Sequence, residues 1–263
     1  MSTNKSLIVL QENSGRVPLP DSLPQTVKNA IYSIVDNIAE SFEEFIIRLQ
    51  AGNAYDTIHL LTDNKCSRKQ LLEKLLYETR RNRKIDLVVL GHGSAERLLM
   101  KKGPDLTGGR DGTIRDMLKS IPKRYKFKKF NLRMVYMCNC YGSTLNDDWI
   151  AIGAKASVGS KMNDYMPEPM TTFFLYDWIH GKKIKKAARN AYRRTIPFYT
   201  IIYPPKVKII YKKKTITYPC PTWSNPLKTC KKKIKVPNGT KLITNSKILE
   251  TELIVAGNKD LKF

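Results

Sequence analysis

Two apolar runs, each ending in a glycine-flanked polar turn, decide the fold of this chain. The first is Asp86-Leu87-Val88-Val89-Leu90, followed by Gly91-His92-Gly93-Ser94; the second is Leu132-Arg133-Met134-Val135-Tyr136-Met137, followed by Cys138-Asn139-Cys140-Tyr141-Gly142-Ser143. Runs of this kind are typical of buried parallel strands that open into loops. In open parallel sheets, ligands and chemistry lie outside the carboxyl ends of the strands. A histidine at one strand end and a cysteine at the other therefore suggest a nucleophile and its base.

The sequence before these runs predicts alternating strands and helices. Strands are expected at residues 7–10 and 56–61, and apolar residues at helical spacing predict a helix over residues 25–50. Ser67 and Gln70 have the spacing of a capping box, which predicts a second helix that begins after Ser67. A β-α-β-α-β order is typical of a parallel sheet with right-handed crossovers, so the expected fold class is α/β.

Beyond the second run, a strand is predicted at residues 156–160 and helices at residues 170–178 and 184–194. After Pro197 the pattern changes to short β-prone segments. These segments are residues 200–203, 207–211, 215–218, 242–244 and 253–255. We expect one of the segments rich in Ile and Tyr to complete the main sheet.

The predicted organisation is a main domain over residues 1–200 and a basic, β-rich C-terminal extension over residues 201–263. Positive charge is concentrated in the last third: residues 1–180 hold 26 Lys and Arg against 20 Asp and Glu, whereas residues 181–263 hold 21 against 3. Such a surface attracts polyanions, so residues 181–263 are candidates for contact with nucleic acid or an acidic partner. The alternative is a set of simply solvated lysines in a chain rich in Lys, Ile and Asn.

Composition limits the class of protein further. No segment approaches the ~20 uninterrupted apolar residues of a membrane span, and the first residues lack the pattern of a signal peptide. We therefore expect a cytoplasmic protein without a membrane span. The five cysteines, an odd number at wide spacing, favour reduced thiols over a disulfide framework. Cys220 and Cys230 flank a Pro-rich loop; the alternatives for them are metal binding or pairing under oxidation, and the expectation is that they do neither.

Taken together, the two runs resemble a known family. The chain resembles the caspase-fold cysteine peptidases, the group that includes legumains, gingipains, separases and the bacterial CHAT-domain peptidases, and it is most similar to the last. The shared pattern is an apolar strand ending in His-Gly, here Gly91-His92-Gly93, and a second strand ending in a cysteine shortly before a glycine, here Cys138-Asn139-Cys140-Tyr141-Gly142. The two motifs lie about 50 residues apart, with the histidine first, as in caspases. The resemblance covers residues 6–195 and implies a three-layer α/β/α sandwich with a mostly parallel central sheet.

The resemblance also implies a reaction, the hydrolysis of peptide bonds by a cysteine endopeptidase. His92 would act as base and acid and Cys140 as nucleophile, because thiol catalysis requires a thiolate and an imidazole can accept the proton. In the family, the N–H of the glycine after the histidine and that of the cysteine stabilise the oxyanion; these are Gly93 and Cys140 here. No cofactor is needed.

Two cysteines compete for the role of nucleophile. The caspase spacing, with glycine two residues after the nucleophile, selects Cys140, and strand geometry puts Cys140 nearer the mouth of the site. Cys138 is the alternative nucleophile, although it is expected to be a small buried residue. A metal site formed by Cys138, Cys140 and His92 has no paired Cys or His motif to support it, so no metal is predicted.

Substrate preference is suggested only by acidic residues near the expected pocket. Asp147, Asp148, Asp164 and Glu168 lie in the turn after the cysteine or in the loop after the next strand. An acid at the base of the pocket would favour a basic P1 residue, and Asp164 is the candidate. The other interpretation is that these acids are solvated or begin a helix, as the position of Asp147 and Asp148 before Trp149 indicates.

A hypothesis of a different class stands beside the peptidase. In it, the chain is a catalytically inactive caspase-fold scaffold that binds nucleic acid or an acidic partner through its basic C-terminal surface. The peptidase hypothesis predicts hydrolysis that depends on His92 and a thiol. The scaffold hypothesis predicts binding that weakens steeply with salt and does not depend on Cys140.

Overall fold

Six strands form the central sheet of the protein, for which a computed structural model describes residues 4–11, 24–26, 54–62, 65–163, 169–219, 229–243 and 245–263. Together with the strands of two smaller sheets, the strands of the described residues are β1 (Lys5–Gln11), β2 (Thr57–Thr62), β3 (Lys84–Leu90), β4 (Gly93–Ser94), β5 (Arg97–Leu98), β6 (Leu106–Thr107), β7 (Leu132–Cys138), β8 (Ala156–Ser160), β9 (Lys206–Pro219), β10 (Thr229–Ile243) and β11 (Leu253–Gly257). The central sheet has the order β11-β8-β7-β3-β1-β2. All its neighbours pair in parallel except β11 with β8. The prediction of an α/β fold with a mostly parallel sheet is confirmed.

Helices lie on both faces of this sheet. They are α1 (Arg68–Arg80), α2 (Thr113–Asp116), α3 (Asn146–Ile152), α4 (Met170–Ile179), α5 (Ile184–Ile202) and α6 (Ser246–Glu250). One apolar cluster joins α1 and α3 to one face of the sheet, and a second joins α4 and α5 to alternate residues of the same strands. The arrangement is compatible with a three-layer sandwich. Among the described residues, no helix has the length and apolar character needed to cross a membrane.

Local signals in the sequence explain several element boundaries. The side chain of Ser67 accepts a hydrogen bond from the Gln70 N–H at 3.3 Å, so α1 begins where the capping residue predicts. The strands predicted around residues 7–10, 56–61 and 156–160 are confirmed as β1, β2 and β8. Of the helix predicted over residues 25–50, residues 27–50 lie outside the described part of the chain.

The prediction for residues 200–203 is wrong, because α5 continues through Pro197 to Ile202. Tyr199 and Tyr203 are spaced four residues apart, as on one face of a helix, and both are buried in a cluster with Ile248 of α6. Burial of two tyrosines at this spacing therefore outweighs the β propensity of the Ile-Ile pair between them.

The strand that completes the main sheet also differs from the expectation. It is β11, not one of the segments rich in Ile and Tyr. Those segments belong to β9, which continues through the Lys212-Lys213-Lys214 run and pairs with β10 as a separate two-stranded sheet. Its neighbour β10 carries Cys230, which is disulfide-bonded, so the expectation that this cysteine does not pair is wrong.

A buried ion pair crosses the two central strands near their amino ends. Ile85 is opposite Leu132 and Asp86 is opposite Met134, so Arg133 is an extra residue in β7. The Arg133 guanidinium donates from Nε to Asp86 Oδ1 at 2.8 Å and from Nη2 to Oδ2 at 2.5 Å, and both side chains are almost fully buried. Asp86 Oδ2 also accepts hydrogen bonds from Tyr55 and from Trp178. The sequence carries no local signal for this network, since Asp86 and Arg133 lie inside apolar runs.

The charges in this network support one another. Burial disfavours the charged form of Arg133, but the Asp86 carboxylate outweighs this effect and raises the guanidinium pKa. Burial and the same carboxylate raise the pKa of Tyr55 well above its ordinary value, so Tyr55 remains a neutral donor. Removing one partner of such a pair would leave an uncompensated buried charge.

We therefore predict that Arg133→Met lowers the free energy of unfolding by about 3–5 kcal/mol, because Asp86 loses its counter-charge in the core. Urea denaturation monitored by circular dichroism measures the change. Arg110→Met, at an exposed position, is the matched control and should change stability by less than about 0.5 kcal/mol. Equal losses in the two variants would contradict a special role for the buried pair.

A second buried carboxylate ties the edge of the sheet to α1. Glu78 is fully buried and lies 2.6 Å from His59 Nε2, 2.6 Å from Ser6 Oγ and 3.1 Å from Arg83 Nη1. Burial alone would raise the pKa of this carboxyl, but the hydrogen bonds from His59, Ser6 and Arg83 outweigh it and lower the pKa below its ordinary value. The ionised form is therefore the one that stabilises the fold.

This lowered pKa predicts acid sensitivity. A carboxyl whose pKa is lower in the folded state stabilises the fold above its unfolded pKa and loses that contribution as the pH falls through its folded pKa. Glu78→Gln should therefore reduce stability at neutral pH and show a smaller further loss below about pH 5 than the wild type. Urea denaturation over this pH range, with Glu73→Gln on the exposed side of α1 as control, tests the effect. Parallel pH curves for Glu78→Gln and the wild type would contradict it.

Candidate active site at the carboxyl ends of β3 and β7

The loop that carries His92, here called the histidine loop, and the loop that carries Cys140, here called the cysteine loop, begin at the same level of the sheet. In the parallel β3–β7 pair, Leu90 is opposite Cys138, and His92 and Cys140 each follow two residues later. Because carboxyl ends of adjacent parallel strands meet at one edge, the two loops emerge side by side. The Gly91 N–H donates to the Cys138 carbonyl oxygen at 3.4 Å and continues the pairing beyond β3.

A small three-stranded sheet supports the histidine loop. Strand β4 pairs with β5, which pairs with β6, both in the antiparallel direction. The His92 carbonyl oxygen accepts a hydrogen bond from the Leu99 N–H at 3.0 Å, which anchors the residue at the start of β4. The His92 side chain itself is exposed to solvent.

Gly93 lies directly against the cysteine loop. A Cβ atom at this position would be 2.8 Å from the Arg97 carbonyl oxygen and 2.9 Å from the Cys140 carbonyl oxygen, and closer still to Asn139 Nδ2. Real Cβ atoms do not approach backbone atoms at these distances, so only glycine allows the two loops to approach this closely. The glycine after the histidine thus sets the separation of the two loops.

A hydrogen bond provides a second connection between the loops. The Glu96 N–H, in the turn between β4 and β5, donates to Thr144 Oγ1 at 2.8 Å. The Thr144 hydroxyl in turn donates to the Tyr141 carbonyl oxygen at 2.7 Å. The sequence carries no signal for this contact, because its partners are 48 residues apart and meet only when both loops are in place.

The cysteine loop is held from its other side by β8 and the segment that follows it. Tyr141 adopts a left-handed conformation (φ 57°), and its N–H donates to the Met162 carbonyl oxygen at 2.5 Å. Ser160 Oγ donates to the Asn139 carbonyl oxygen. Gly159 packs so closely on Gly142 that a Cβ atom would overlap its backbone. Contacts from both neighbouring strands therefore define the conformation of the turn.

The Asn139 side chain lies between Gly93 and the Cys140 carbonyl group. This side chain is buried, and Nδ2 donates to the Cys140 carbonyl oxygen at 2.9 Å. Among the described residues, Asn139 Oδ1 is the one buried side-chain nitrogen or oxygen without a hydrogen-bond partner. The amide thus braces the backbone of Cys140, a contact that sequence analysis missed.

The two cysteines differ in environment. Cys138 is 2% exposed and belongs to the apolar cluster beneath α4, where its Sγ accepts a hydrogen bond from Thr171 Oγ1 at 3.2 Å. Cys140 lies beyond the end of β7 and is half-buried. The expectation that Cys138 is a small buried residue is confirmed.

The two other histidines are engaged elsewhere. His59 is bound to Glu78 on α1, and His180 Nδ1 lies 2.7 Å from the Tyr176 carbonyl oxygen at the end of α4. Among the described residues, no group of three or more His, Cys, Asp or Glu side chains is arranged to hold a metal ion.

The acidic residues considered for substrate recognition fall into three groups. Asp148 is buried, bound to Arg115 Nε at 2.5 Å, and accepts the Gly109 N–H at 3.1 Å, so its carboxylate is already engaged. Asp147 is exposed in the first turn of α3. Asp164 and Glu168 lie outside the described residues.

Comparison with known proteins gives no relationship: no protein-family model matches the chain, and no curated protein is detectably similar to it in sequence.

The close packing of Gly93 leads to a testable prediction. Gly93→Ala should push the histidine loop away from the Asn139–Cys140 backbone and lower the rate of thiol modification at Cys140 by at least about 10-fold, since small displacements of a reacting group have effects of this size. Alkylation of Cys140 by a peptidyl acyloxymethyl ketone, followed by intact mass spectrometry, measures the rate. Ser94→Ala, at the next and exposed position, is the control. A wild-type rate in Gly93→Ala would show that the close contact has no chemical role.

Proposed function

We propose that this protein is a cysteine endopeptidase with a caspase-like sandwich fold, in which Cys140 is the nucleophile and His92 the base. The observation that carries the proposal is the β3–β7 register, with Leu90 opposite Cys138, together with the packing of Gly93 against the Cys140 carbonyl group. The placement of a cysteine and a histidine on adjacent strand ends, with the two loops in close backbone contact at Gly93, supports Cys-His acyl transfer, which needs the nucleophile near its base.

The reaction follows from these two groups. His92 accepts the Cys140 thiol proton, and the thiolate attacks the carbonyl carbon of the scissile peptide bond. The imidazolium then donates its proton to the leaving amine, the C–N bond breaks, and an acyl-enzyme thioester remains. Water, deprotonated by His92, hydrolyses the thioester and restores the thiol. Neither a cofactor nor a metal takes part.

Backbone donors support the oxyanion that forms in this reaction. Hydrogen bonds in an antiparallel pair alternate along the strands. Because the Leu99 N–H donates to the His92 carbonyl group, this alternation turns the Gly93 N–H away from β5. The N–H groups of Gly93 and Cys140 are the proposed oxyanion donors, each worth about 3 kcal/mol of transition-state stabilisation.

The environment of the second thiol favours Cys140 over Cys138. A nucleophile must reach the substrate, whereas Cys138 is 2% exposed and accepts a hydrogen bond from Thr171 within the core beneath α4.

Substrate preference and location remain part of the proposal. A basic P1 residue is the expected preference, with Asp164 as the candidate acid at the pocket base. A cytoplasmic location is proposed from sequence composition. The disulfide at Cys230 differs from the expectation of reduced thiols throughout the chain.

The decisive experiment is covalent labelling with peptidyl acyloxymethyl ketones that carry Arg, Lys, Asn, Asp or Leu at P1, measured by intact mass. We expect a single adduct on the wild type, none on Cys140→Ala, and labelling reduced by at least about 100-fold on His92→Ala, because loss of a general base has effects of this size. Cys138→Ala is the matched control and should be labelled at the wild-type rate. Probes with Arg or Lys at P1 should react fastest.

Other outcomes would change the proposal in defined ways. Labelling that disappears in Cys138→Ala but persists in Cys140→Ala would move the nucleophile to the other cysteine. Fastest reaction with the Asp or Leu probe would contradict the basic P1 preference. Absence of any adduct on the folded wild type would overturn the peptidase and favour an inactive scaffold.

A further inference from the structure

Strands β9 and β10 form a long antiparallel ribbon outside the main sheet. The strands contain 14 and 15 residues, and they pair along nearly their whole length with one irregularity between Pro237 and Thr240. At about 3.4 Å per residue, β9 alone is about 45 Å long. The disulfide-bonded Cys230 lies opposite Tyr218, near the closed end of the ribbon.

The ribbon is densely basic. Nine of its lysines are exposed to solvent: Lys208, Lys212, Lys213, Lys214, Lys231, Lys232, Lys233, Lys235 and Lys241. None of them forms a salt bridge with another residue in the described part of the chain. The sequence explains this, since residues 178–249 contain no Asp or Glu.

One face of the ribbon carries a regular array of these charges. Three successive cross-strand pairs on that face are Lys213 with Lys235, Thr215 with Lys233 and Thr217 with Lys231. All six side chains are exposed, and none is apolar. We call this set the lysine face. Successive pairs are about 7 Å apart along the ribbon, because residues two apart on a strand share a face.

The lysine face is electrostatically unfavourable in isolation. Like charges directly opposite each other destabilise a strand pair, as Lys213 and Lys235 do here. A two-stranded ribbon also has little core of its own to compensate. A polyanion bound along this face would neutralise the repulsion and release its own condensed counterions, which is the main driving force of sequence-independent nucleic-acid binding.

We infer that the lysine face binds the phosphate backbone of double-stranded nucleic acid without reading its sequence. Successive cross-strand pairs of the lysine face, one Lys–Lys and two Thr–Lys, are spaced comparably to successive phosphates, and threonine hydroxyls are common phosphate donors. A two-stranded β-ribbon fits the major groove of duplex DNA.

The same observations argue against other anionic partners. A peripheral membrane contact combines basic residues with several apolar side chains that insert into the lipid. The six residues of the lysine face include no apolar side chain, and the next pair on the same face, Tyr211 with Pro237, supplies a single exposed aromatic ring. Acidic proteins rarely present charges at regular spacing over this length, whereas a nucleic-acid backbone does so by construction. The inference is independent of the proposed peptidase activity.

Fluorescence anisotropy with a labelled DNA duplex tests the inference on the full-length chain. We compare the wild type with a ribbon variant, Lys213→Gln, Lys231→Gln, Lys233→Gln and Lys235→Gln, over increasing salt concentration. The matched control is Lys123→Gln, Lys126→Gln, Lys128→Gln and Lys129→Gln, which removes the same charge from exposed positions elsewhere. We expect a plot of log affinity against log salt to lose about 3–4 units of slope in the ribbon variant, about 0.9 per phosphate contact. The control should keep nearly the wild-type slope.

Two additional measurements keep the test informative. The corresponding Lys→Arg variant should retain binding, which separates loss of charge from unfolding of the ribbon, and two unrelated duplex sequences should bind within about 3-fold of each other. Equal loss in the ribbon and control variants would overturn the inference, as would a strong sequence preference. It would also be overturned if the wild type bound vesicles rich in phosphatidylserine, or polyglutamate, more tightly than the duplex.

Discussion

The parallel pairing of β3 with β7 is the constraint on which the candidate site depends. Arg133 is an extra residue in β7, and its ion pair with Asp86 holds that irregularity in the core. Every residue beyond it is shifted by one relative to uninterrupted pairing. Because side chains alternate between faces, a slip of one residue would exchange the apolar sets that pack beneath the two helical layers. It would also displace Cys140 by one residue along the strand direction relative to His92. The irregularity beside this buried ion pair, together with the alternating apolar sets, thus sets the register in which residues meet at the carboxyl ends.

At the carboxyl ends, close backbone contact replaces side-chain packing. Gly93 lies against the Asn139–Cys140 backbone and Gly159 against Gly142, so the cysteine turn is held between β3 and β8. Polar contacts from Thr144 and Ser160 complete the support. A site built this way has little freedom to change its geometry, which is the pre-organisation that nucleophilic catalysis requires. The same tightness leaves Asn139 Oδ1 buried without a partner, a cost of about 1–3 kcal/mol within the site itself.

The C-terminal third illustrates where local pattern is insufficient. Short apolar runs do not distinguish a strand from a buried helix segment. Residues 200–202 are helical because Tyr199 and Tyr203 bury the same face against Ile248. The Lys212-Lys213-Lys214 run does not interrupt β9, since its side chains are exposed and the backbone pairs with β10 throughout. Strand β11, more than 90 residues further along the chain, pairs with the edge of β8 that β7 leaves open. Each outcome depends on contacts between segments that are distant in sequence.

Sequence by itself determined the elements whose signals are local. Neighbouring residues alone were enough to predict the buried strands, from continuous apolar runs, and the start of a helix, from Ser67 and Gln70. They were also enough to place His92 and Cys140 at strand ends. Tertiary structure alone decided the order of strands, the irregularity at Arg133 and the contacts that join the two loops. The physical reason is that hydrogen-bonding and apolar periodicity act over a few residues, whereas register, burial and ion pairing depend on which distant segments pack together.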